Sequence, residues 1–104
     1  MQITFRQMSP SPALRDRIQE RIDRLEHLHE RITGGRVVVQ APHRHHHKGG
    51  LFSVAVEVQI PGASLTSHRS PGQHHAHEDV YVAMRDAFDS LERQLHDYLR
   101  RKTA

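Results

Sequence analysis

The segment from Leu51 to Ile60 carries the pattern that most restricts how this 104-residue chain can fold. Apolar side chains occupy every second position from Phe52 to Ile60, and the positions between them hold Ser53, Ala55, Glu57 and Gln59. Successive side chains of a β-strand point to opposite faces, so the pattern predicts a strand with one buried face. A sheet built around this strand needs helices on that face alone.

Three more segments are predicted to join the sheet. Ile3 and Phe5 alternate with polar residues, and the segment from Arg36 to Ala41 holds three consecutive valines, which favours a central strand. The Pro61-Gly62 pair predicts a tight turn, after which the chain from Ala63 to about Arg69 returns as a hairpin partner.

Two amphipathic helices are predicted to cover the apolar face of the sheet. In the first, Ser11 is a candidate N-cap, and the helix is predicted to run to about Arg31 and to end at Gly34-Gly35. Its apolar residues fall on one face: Leu14, Ile18, Ile22, Leu25 and Ile32. The second is predicted to begin at Glu78, with Tyr81 on or beside a stripe of Val80, Met84, Ala87, Phe88, Leu91, Leu95 and Leu99.

The predicted order is therefore β-α-β-β-β-α, an α+β fold with a four-stranded sheet and two helices packed on one face. A chain of this length covers one such core, so residues 1–104 are expected to form a single domain. Cysteine is absent, which excludes disulfides and thiol catalysis and favours a reducing cytoplasm. The residues after Met1 lack the apolar run of a signal peptide or membrane span, so no membrane partner is expected.

The charge pattern favours an anionic partner. Fifteen Lys and Arg exceed twelve Asp and Glu, and thirteen of the fifteen are arginine, whose planar fork matches phosphate oxygens. On the first helix, Arg17, Arg21, Arg24 and Arg31 are predicted to form a narrow row. This row could be a phosphate track, or a solvated face in which Glu20 pairs with Arg24. On the second helix, residues of alternating sign predict a self-stabilising ladder: Arg85, Asp89, Arg93, Asp97 and Arg101.

Seven of the eleven histidines lie in two predicted loops, one from His43 to His47 and one from His74 to His77. Alternating strand directions place both loops at the same end of the sheet. One interpretation is a zinc, copper or nickel site, with ligands drawn from His45, His47, His74 and His77. The alternatives are an RNA-facing loop and a passive solvated loop.

Enzymatic chemistry has little support in this sequence. His77-Glu78-Asp79 could suggest acid–base catalysis, but acidic residues are expected in the first turn of a helix. No glycine-rich phosphate loop and no nucleophile elbow are present. We therefore expect no catalytic residues, no cofactor and no small-molecule substrate.

Both ends of the chain resemble the ribosome hibernation-promoting factor and protein Y family of ribosome-associated translation inhibitors. The likeness rests on the following segments: Ile3-Thr4, Arg6-Gln7-Met8, Pro12-Ala13-Leu14-Arg15, His77-Glu78-Asp79-Val80-Tyr81 and Leu91-Glu92-Arg93-Gln94-Leu95. The resemblance implies the same β-α-β-β-β-α fold and a stoichiometric factor that blocks the messenger and transfer RNA channel of the small ribosomal subunit. Because the chain ends at Ala104, it resembles the short type of this family. Among the possible oligomeric states, a monomer is favoured.

The resemblance also implies which side chains bind ribosomal RNA. Basic family positions correspond to Arg6, Arg15, Arg21, Arg24 and Arg93. His27 on the first helix stands where a lysine is common, so this family cation would be charged only at lower pH or beside an anion. Ser90 and Asp97 stand where the second helix of typical members carries lysines, so the RNA contact of that helix is expected to be weaker. A conditional basic patch of Arg44, Lys48, Arg69 and protonated histidines could restore that charge, and the tail adds Arg100 and Arg101. A metal-binding protein on the same fold and a general binder of structured RNA are the alternatives.

Overall fold

The computed structural model describes residues 1–41, 52–69 and 79–103. Within these ranges the order of elements is β1 (Gln2–Arg6), α1 (Pro12–Leu28), β2 (Gly34–Gln40), β3 (Ser53–Ile60), β4 (Ala63–Arg69) and α2 (Val80–Thr103). The predicted α+β fold and its β-α-β-β-β-α order are confirmed. In the described residues, no helix is long and apolar enough to span a membrane.

The four strands form one mixed sheet in the spatial order β1-β2-β3-β4. β1 pairs with β2 in parallel, whereas the β2–β3 and β3–β4 pairs are antiparallel. The valine segment is therefore central, as predicted, and β2 and β4 end at the same edge of the sheet. The Pro61-Gly62 turn is also confirmed, with Gly62 at a φ of 86° that suits glycine.

One face of the sheet is buried. Val37 pairs with Val56 and Val39 with Val54, and all four side chains are fully buried. Both helices contribute to the same core, α1 through Leu14, Ile18, Ile22 and Leu25, and α2 through Ala83, Met84, Ala87, Phe88, Leu91 and Leu95. The period-2 and helical patterns of the sequence thus meet in one apolar layer.

The first helix is shorter than predicted. Ser11 caps it by accepting a hydrogen bond from the Leu14 backbone N–H at 3.2 Å, but the helix ends at Leu28 with His29 at its C-cap. The prediction that it reaches Arg31 and ends at Gly34-Gly35 is wrong. Both glycines belong to β2, and a Cβ at Gly35 would overlap the Glu57 backbone carbonyl oxygen. Glycine is needed there for close strand approach rather than for stopping a helix.

The two aromatic residues predicted to lie on or beside the apolar stripe of α2 differ in exposure. Phe88 is fully buried, but Tyr81 is 41% exposed and lies outside the buried stripe of α2. Tyr81 follows the Asp79 cap, whose side chain accepts a hydrogen bond from the Tyr81 backbone N–H at 2.9 Å. Its ring borders a cavity of about 540 Å³ with Ala13, Arg17 and Met84.

Candidate nucleic-acid interface

Arginines of α1 and carboxylates of α2 join the two helices along a line that we call the helix seam, made of Arg21, Arg24, Asp89 and Glu92. The Arg21 guanidinium donates to Asp89 Oδ1 at 2.7 Å and to Glu92 Oε2 at 3.1 Å. Arg24 reaches the other Glu92 oxygen at 3.4 Å. Residue numbers increase in the same direction on both helices along these contacts, so α1 and α2 run parallel to each other at the seam.

Burial makes Arg21 the central residue of the seam. Its side chain is 18% exposed and that of Glu92 is 16% exposed. The guanidinium carbon also lies 5.4 Å from the centre of the Phe88 ring, within the range of a cation–π contact. Burial disfavours the charged form, yet the hydrogen bonds and negative charges of Asp89 and Glu92 raise the pKa of Arg21. Arg21 therefore ties α1 to α2.

The predicted arginine row of α1 does not form one continuous surface. Arg31 lies beyond the end of the helix, and Arg17 pairs with Glu20 at 3.7 Å with both side chains about two-thirds exposed. Arg24 pairs with Glu92 of the other helix and not with Glu20, the partner in the solvated-face alternative. The row thus divides into Arg17, which pairs within α1, and the two arginines of the seam, of which Arg24 is 62% exposed and Arg21 is 18% exposed.

The predicted charge ladder of α2 is also divided. Asp89 contacts Arg21 across the seam, Arg85 pairs with the adjacent Asp86 at 3.3 Å, and Asp97 pairs with Arg100 at 3.5 Å. The cross-helix pair of Asp89 with Arg21 was not predicted, because the charge pattern of each helix was considered alone. A usable signal was present, since Arg21 and Glu92 each directly adjoin a core residue on an apolar stripe.

Four predicted RNA-binding arginines are exposed and have no acidic partner among residues 1–41, 52–69 and 79–103: Arg6, Arg15, Arg93 and Arg101. Arg15 lies over the ring of Phe5, 5.5 Å from its centre, which holds the first turn of α1 against β1. Arg6 ends β1, and its carbonyl accepts a hydrogen bond from Ala41 N–H at 3.1 Å. These four arginines are accessible to a phosphate within the part of the chain that is described.

The face of the sheet opposite the helices carries a second group of polar residues, which we call the open sheet face. Its members line a depression of about 210 Å³: Arg6, Arg36, Val38, Gln40, Ser53, Ala55 and His68. Arg36 Nε lies 3.1 Å from Glu57 Oε1, and Ser53 Oγ lies 3.0 Å from His68 Nε2. Of this set, only Arg6 is predicted from sequence to bind RNA, because the members become neighbours only through strand register.

His29 lies where α1 ends. Its backbone N–H donates to the Leu25 carbonyl at 3.0 Å, and its ring is half-buried near Glu92 and His96. Burial lowers the pKa of His29, and the positive charge of His96 lowers it further, while Glu92 acts in the opposite direction. The neutral imidazole is therefore favoured at this helix end.

Both predicted histidine loops lie outside the described residues, together with Arg44, Lys48 and the candidate ligands His45, His47, His74 and His77. Arg69 is the last residue of β4 and pairs in register with Val54. The common end of β2 and β4 agrees with the predicted placement of the strand ends that lead into the two segments. Elsewhere, in the ranges that are described, no group of three or more metal-ligating side chains occurs.

Curated relatives carry names that refer to ribosome hibernation. The chain is 29% identical over 97 residues to a ribosome hibernation promotion factor of Deinococcus radiodurans, covering 93% of this chain and 47% of that protein. It is also 29% identical over 93 residues to a ribosome hibernation promoting factor of Azotobacter vinelandii, covering 89% of this chain and 76% of the relative. The chain thus spans about half the length of the first relative and about three quarters of the second.

Solved structures share the fold at low sequence identity. A ribosomal subunit interface protein from Coxiella burnetii aligns with a TM-score of 0.72 at 22% identity, covering 96% of this chain and 99% of that one. The N-terminal domain of Thermus thermophilus Protein Y aligns with a TM-score of 0.65 at 18% identity, covering 93% and 94%. The sequence model of one protein family matches residues 1–103, which is nearly the whole chain. The chain therefore belongs to the family described as Sigma 54 modulation protein / S30EA ribosomal protein.

Proposed function

We propose that this protein binds the small ribosomal subunit in the messenger and transfer RNA channel and inhibits translation as a ribosome hibernation factor. The observation that carries the proposal is the family match over residues 1–103, which includes every described strand and helix. The names of the two relatives refer to ribosome hibernation, and this is the function that we propose for the matched chain. The factor acts as a stoichiometric steric block in the cytoplasm, as a monomer and without catalysis.

Electrostatic contact with ribosomal RNA supplies the affinity in this proposal. Arg6, Arg15, Arg93 and Arg101 have no acidic partner in the described residues, so their guanidinium groups are available for phosphate oxygens. Each such contact releases counterions from the RNA, so binding weakens as salt rises. The remaining proposed contacts are Arg24, Arg44, Lys48, Arg69 and Arg100.

Arg21 has a different role in the proposal. Two of its hydrogen bonds go to Asp89 and Glu92, and its side chain is only 18% exposed. A phosphate would have to displace both carboxylates to reach it. We assign Arg21 to holding α1 and α2 in register, which positions Arg24 and Arg93 for RNA.

Co-sedimentation with purified small subunits at two salt concentrations tests the proposal, with free transfer RNA as competitor. The expected result is saturable binding near one copy per subunit, weakened by salt and by transfer RNA. The double change Arg15→Gln and Arg93→Gln should lower the salt slope by about 2, close to one per lost phosphate contact. Arg93→Lys is the matched control, because it keeps the charge and should retain most of the binding. Absence of wild-type binding at both salts would contradict the proposal.

We also propose that affinity for the small subunit depends on pH through the two histidine-rich segments. Protonation of imidazoles beside Arg44, Lys48 and Arg69 would add positive charge as pH falls through about 6.5. Affinity for the subunit should then rise between about pH 7.5 and pH 6 at fixed salt. Replacing His45 and His47 by Ala should reduce this rise, and an affinity independent of pH in the wild type would contradict the extension.

A further inference from the structure

The open sheet face combines cationic, polar and apolar groups in one depression on the side of the sheet that the helices leave uncovered. Arg6 and Arg36 supply positive charge, and Gln40 and Ser53 supply side chains that both donate and accept hydrogen bonds. Val38 and Ala55 pair in register and form a small apolar floor between them. No residue of the helix seam lines this depression in the described part of the chain.

We propose that the open sheet face is a second RNA-binding surface, which holds a single-stranded segment with phosphates on Arg6 and Arg36 and a ribose or base on the Val38–Ala55 floor. The inference rests on the proposed function in one respect, namely that the RNA is ribosomal. It adds a binding surface on the side of the sheet opposite α1 and α2.

The charges of the depression favour an anionic chain. Arg36 engages Glu57 through Nε, and its side chain remains 62% exposed, so its outer nitrogens still face solvent. Arg6 is exposed and has no acidic partner in the described ranges. Two guanidinium groups therefore line the depression, and Glu57 supplies the one carboxylate that pairs with them in the described residues, so the excess charge is positive.

The length of the depression favours more than one phosphate. Gln40 and Arg36 lie four residues apart on β2, which corresponds to about 13 Å along the strand. A single phosphate group would fill only part of this distance. An extended oligonucleotide fits better, because its phosphates can reach both arginines while the sugar and base between them rest on the apolar floor.

An acidic peptide fits this surface less well than RNA does. Extended peptides usually bind a sheet by adding to its edge through backbone hydrogen bonds. β2 and β3 are interior strands whose backbone groups already pair with neighbouring strands. Recognition at this face must therefore come from side chains, and the amide of Gln40 and the hydroxyl of Ser53 suit ribose hydroxyls and base edges.

The test is titration of the ¹⁵N-labelled protein with a single-stranded oligouridylate of about six nucleotides, a length within the range of known single-strand binding sites. We expect saturable, salt-sensitive shifts of the backbone amides of Val38, Gln40, Ser53 and Ala55. Arg6→Gln, which removes a charged hydrogen-bond donor, and Ala55→Leu, which fills the floor, should each weaken binding roughly tenfold. Ser64→Leu adds the same side chain on the open face away from the depression, and Arg85→Gln removes a charge on α2, so both controls should bind normally.

Three results would overturn the inference: shifts confined to α1 and α2, no shifts at the open sheet face, or equal shifts with an acidic peptide such as oligoglutamate. Co-sedimentation with small subunits separates this failure from failure of the proposed function. If the wild type binds subunits while Ala55→Leu binds both the subunits and the oligonucleotide normally, only the further inference fails. If the wild type does not bind subunits, the proposed function fails, whatever the oligonucleotide shows.

Discussion

The helix seam and the open sheet face both place arginines beside carboxylates, but they leave different amounts of charge available. In the seam, Arg21 and Arg24 meet Asp89 and Glu92, and the central pair is less than one-fifth exposed. On the open sheet face, Arg36 meets Glu57 at the surface, whereas Arg6 has no acidic partner in the described residues. The comparison shows that ion pairs with neighbouring elements determine how much of an arginine's charge stays available at the surface.

Burial also changes what each ion pair does for stability. A buried pair gives a modest net gain when formed but is costly to break, because the remaining charge has lost both its partner and its water. An exposed pair is screened by solvent and salt and contributes about 0 to 1 kcal/mol. The seam is therefore expected to respond to mutation with lost stability, and the open sheet face with lost binding.

The largest expected effect comes from charging the apolar layer that separates the two regions. Leu91→Asp lies under the seam and Val56→Asp lies in the layer beneath the open sheet face, and both native side chains are fully buried. Each change should cost more than about 4 kcal/mol and unfold the domain. Circular dichroism during heating measures this. Leu28→Asp, at a position 56% exposed, is the control and should melt cooperatively near the wild-type temperature.

The next largest effect is expected at Gly35, where β2 and β3, which carry the open sheet face, approach each other closely. Gly35→Ala would place a Cβ against the backbone carbonyl of Glu57 and should cost about 2 to 3 kcal/mol in urea unfolding. Gly34→Ala is the matched control, because its Cβ would meet only the flexible Gln59 side chain at 3.2 Å. Equal losses for the two alanine variants would contradict the assigned close approach.

Removing the central arginine should separate the seam from ordinary surface pairs. Arg21→Gln leaves Glu92, which is 16% exposed, without its closest cation and should cost about 1 to 2 kcal/mol. Arg17→Gln breaks an exposed pair and should stay within about 0.5 kcal/mol of the wild type. Chemical unfolding of both variants measures the difference, and an equal loss would show that the seam is an ordinary surface feature.

The pairing of Arg21 also corrects a sequence-based expectation. From sequence, exchanging Arg21 and Arg24 for Glu is expected to leave the fold intact and to report on binding alone. In the structure, Glu at position 21 would face Asp89 and Glu92, and like charges so close together repel. The double variant is therefore expected to lose stability as well, so Arg93→Gln is the cleaner probe of binding.

The smallest effect is a pH dependence at the end of the seam. The pKa of His29 is lowered by burial and by His96, so it lies below the unfolded value of about 6.5. The unfolded chain then binds more protons in this window, and the contribution of His29 is complete above about pH 6.5 and is lost as pH falls toward its folded pKa. Melting temperatures between about pH 7.5 and pH 5.5 should fall less in His29→Gln than in the wild type. An identical pH profile in the variant would remove His29 as a cause.

Local patterns were sufficient to predict most of the fold. Alternation in β3, the valines of β2 and the Ser11 cap each report on a single element, and the structure confirms them. The end of α1 was mispredicted because Gly34-Gly35 is typical of a helix stop, whereas tertiary contact with Glu57 explains Gly35. Predicting it correctly would have required the β2–β3 register, which no local pattern contains.

The candidate site was less predictable because it depends on contacts between distant residues. Arg21 and Asp89 are 68 positions apart, so the neutralisation of the seam is invisible to a reading of α1 alone. The depression of the open sheet face likewise draws residues from all four strands. Sequence supplied the chemistry, namely arginines and polar residues, but strand register and helix packing determine which of them remain available.

The most direct test of the proposed function is a cryo-electron microscopy map of purified small subunits saturated with the wild-type protein. We expect one copy in the messenger and transfer RNA channel, with Arg6, Arg15 and Arg93 near RNA phosphates and the Arg21 pair with Asp89 and Glu92 intact. A copy bound outside the channel, or subunits with no bound protein under saturating conditions, would contradict it.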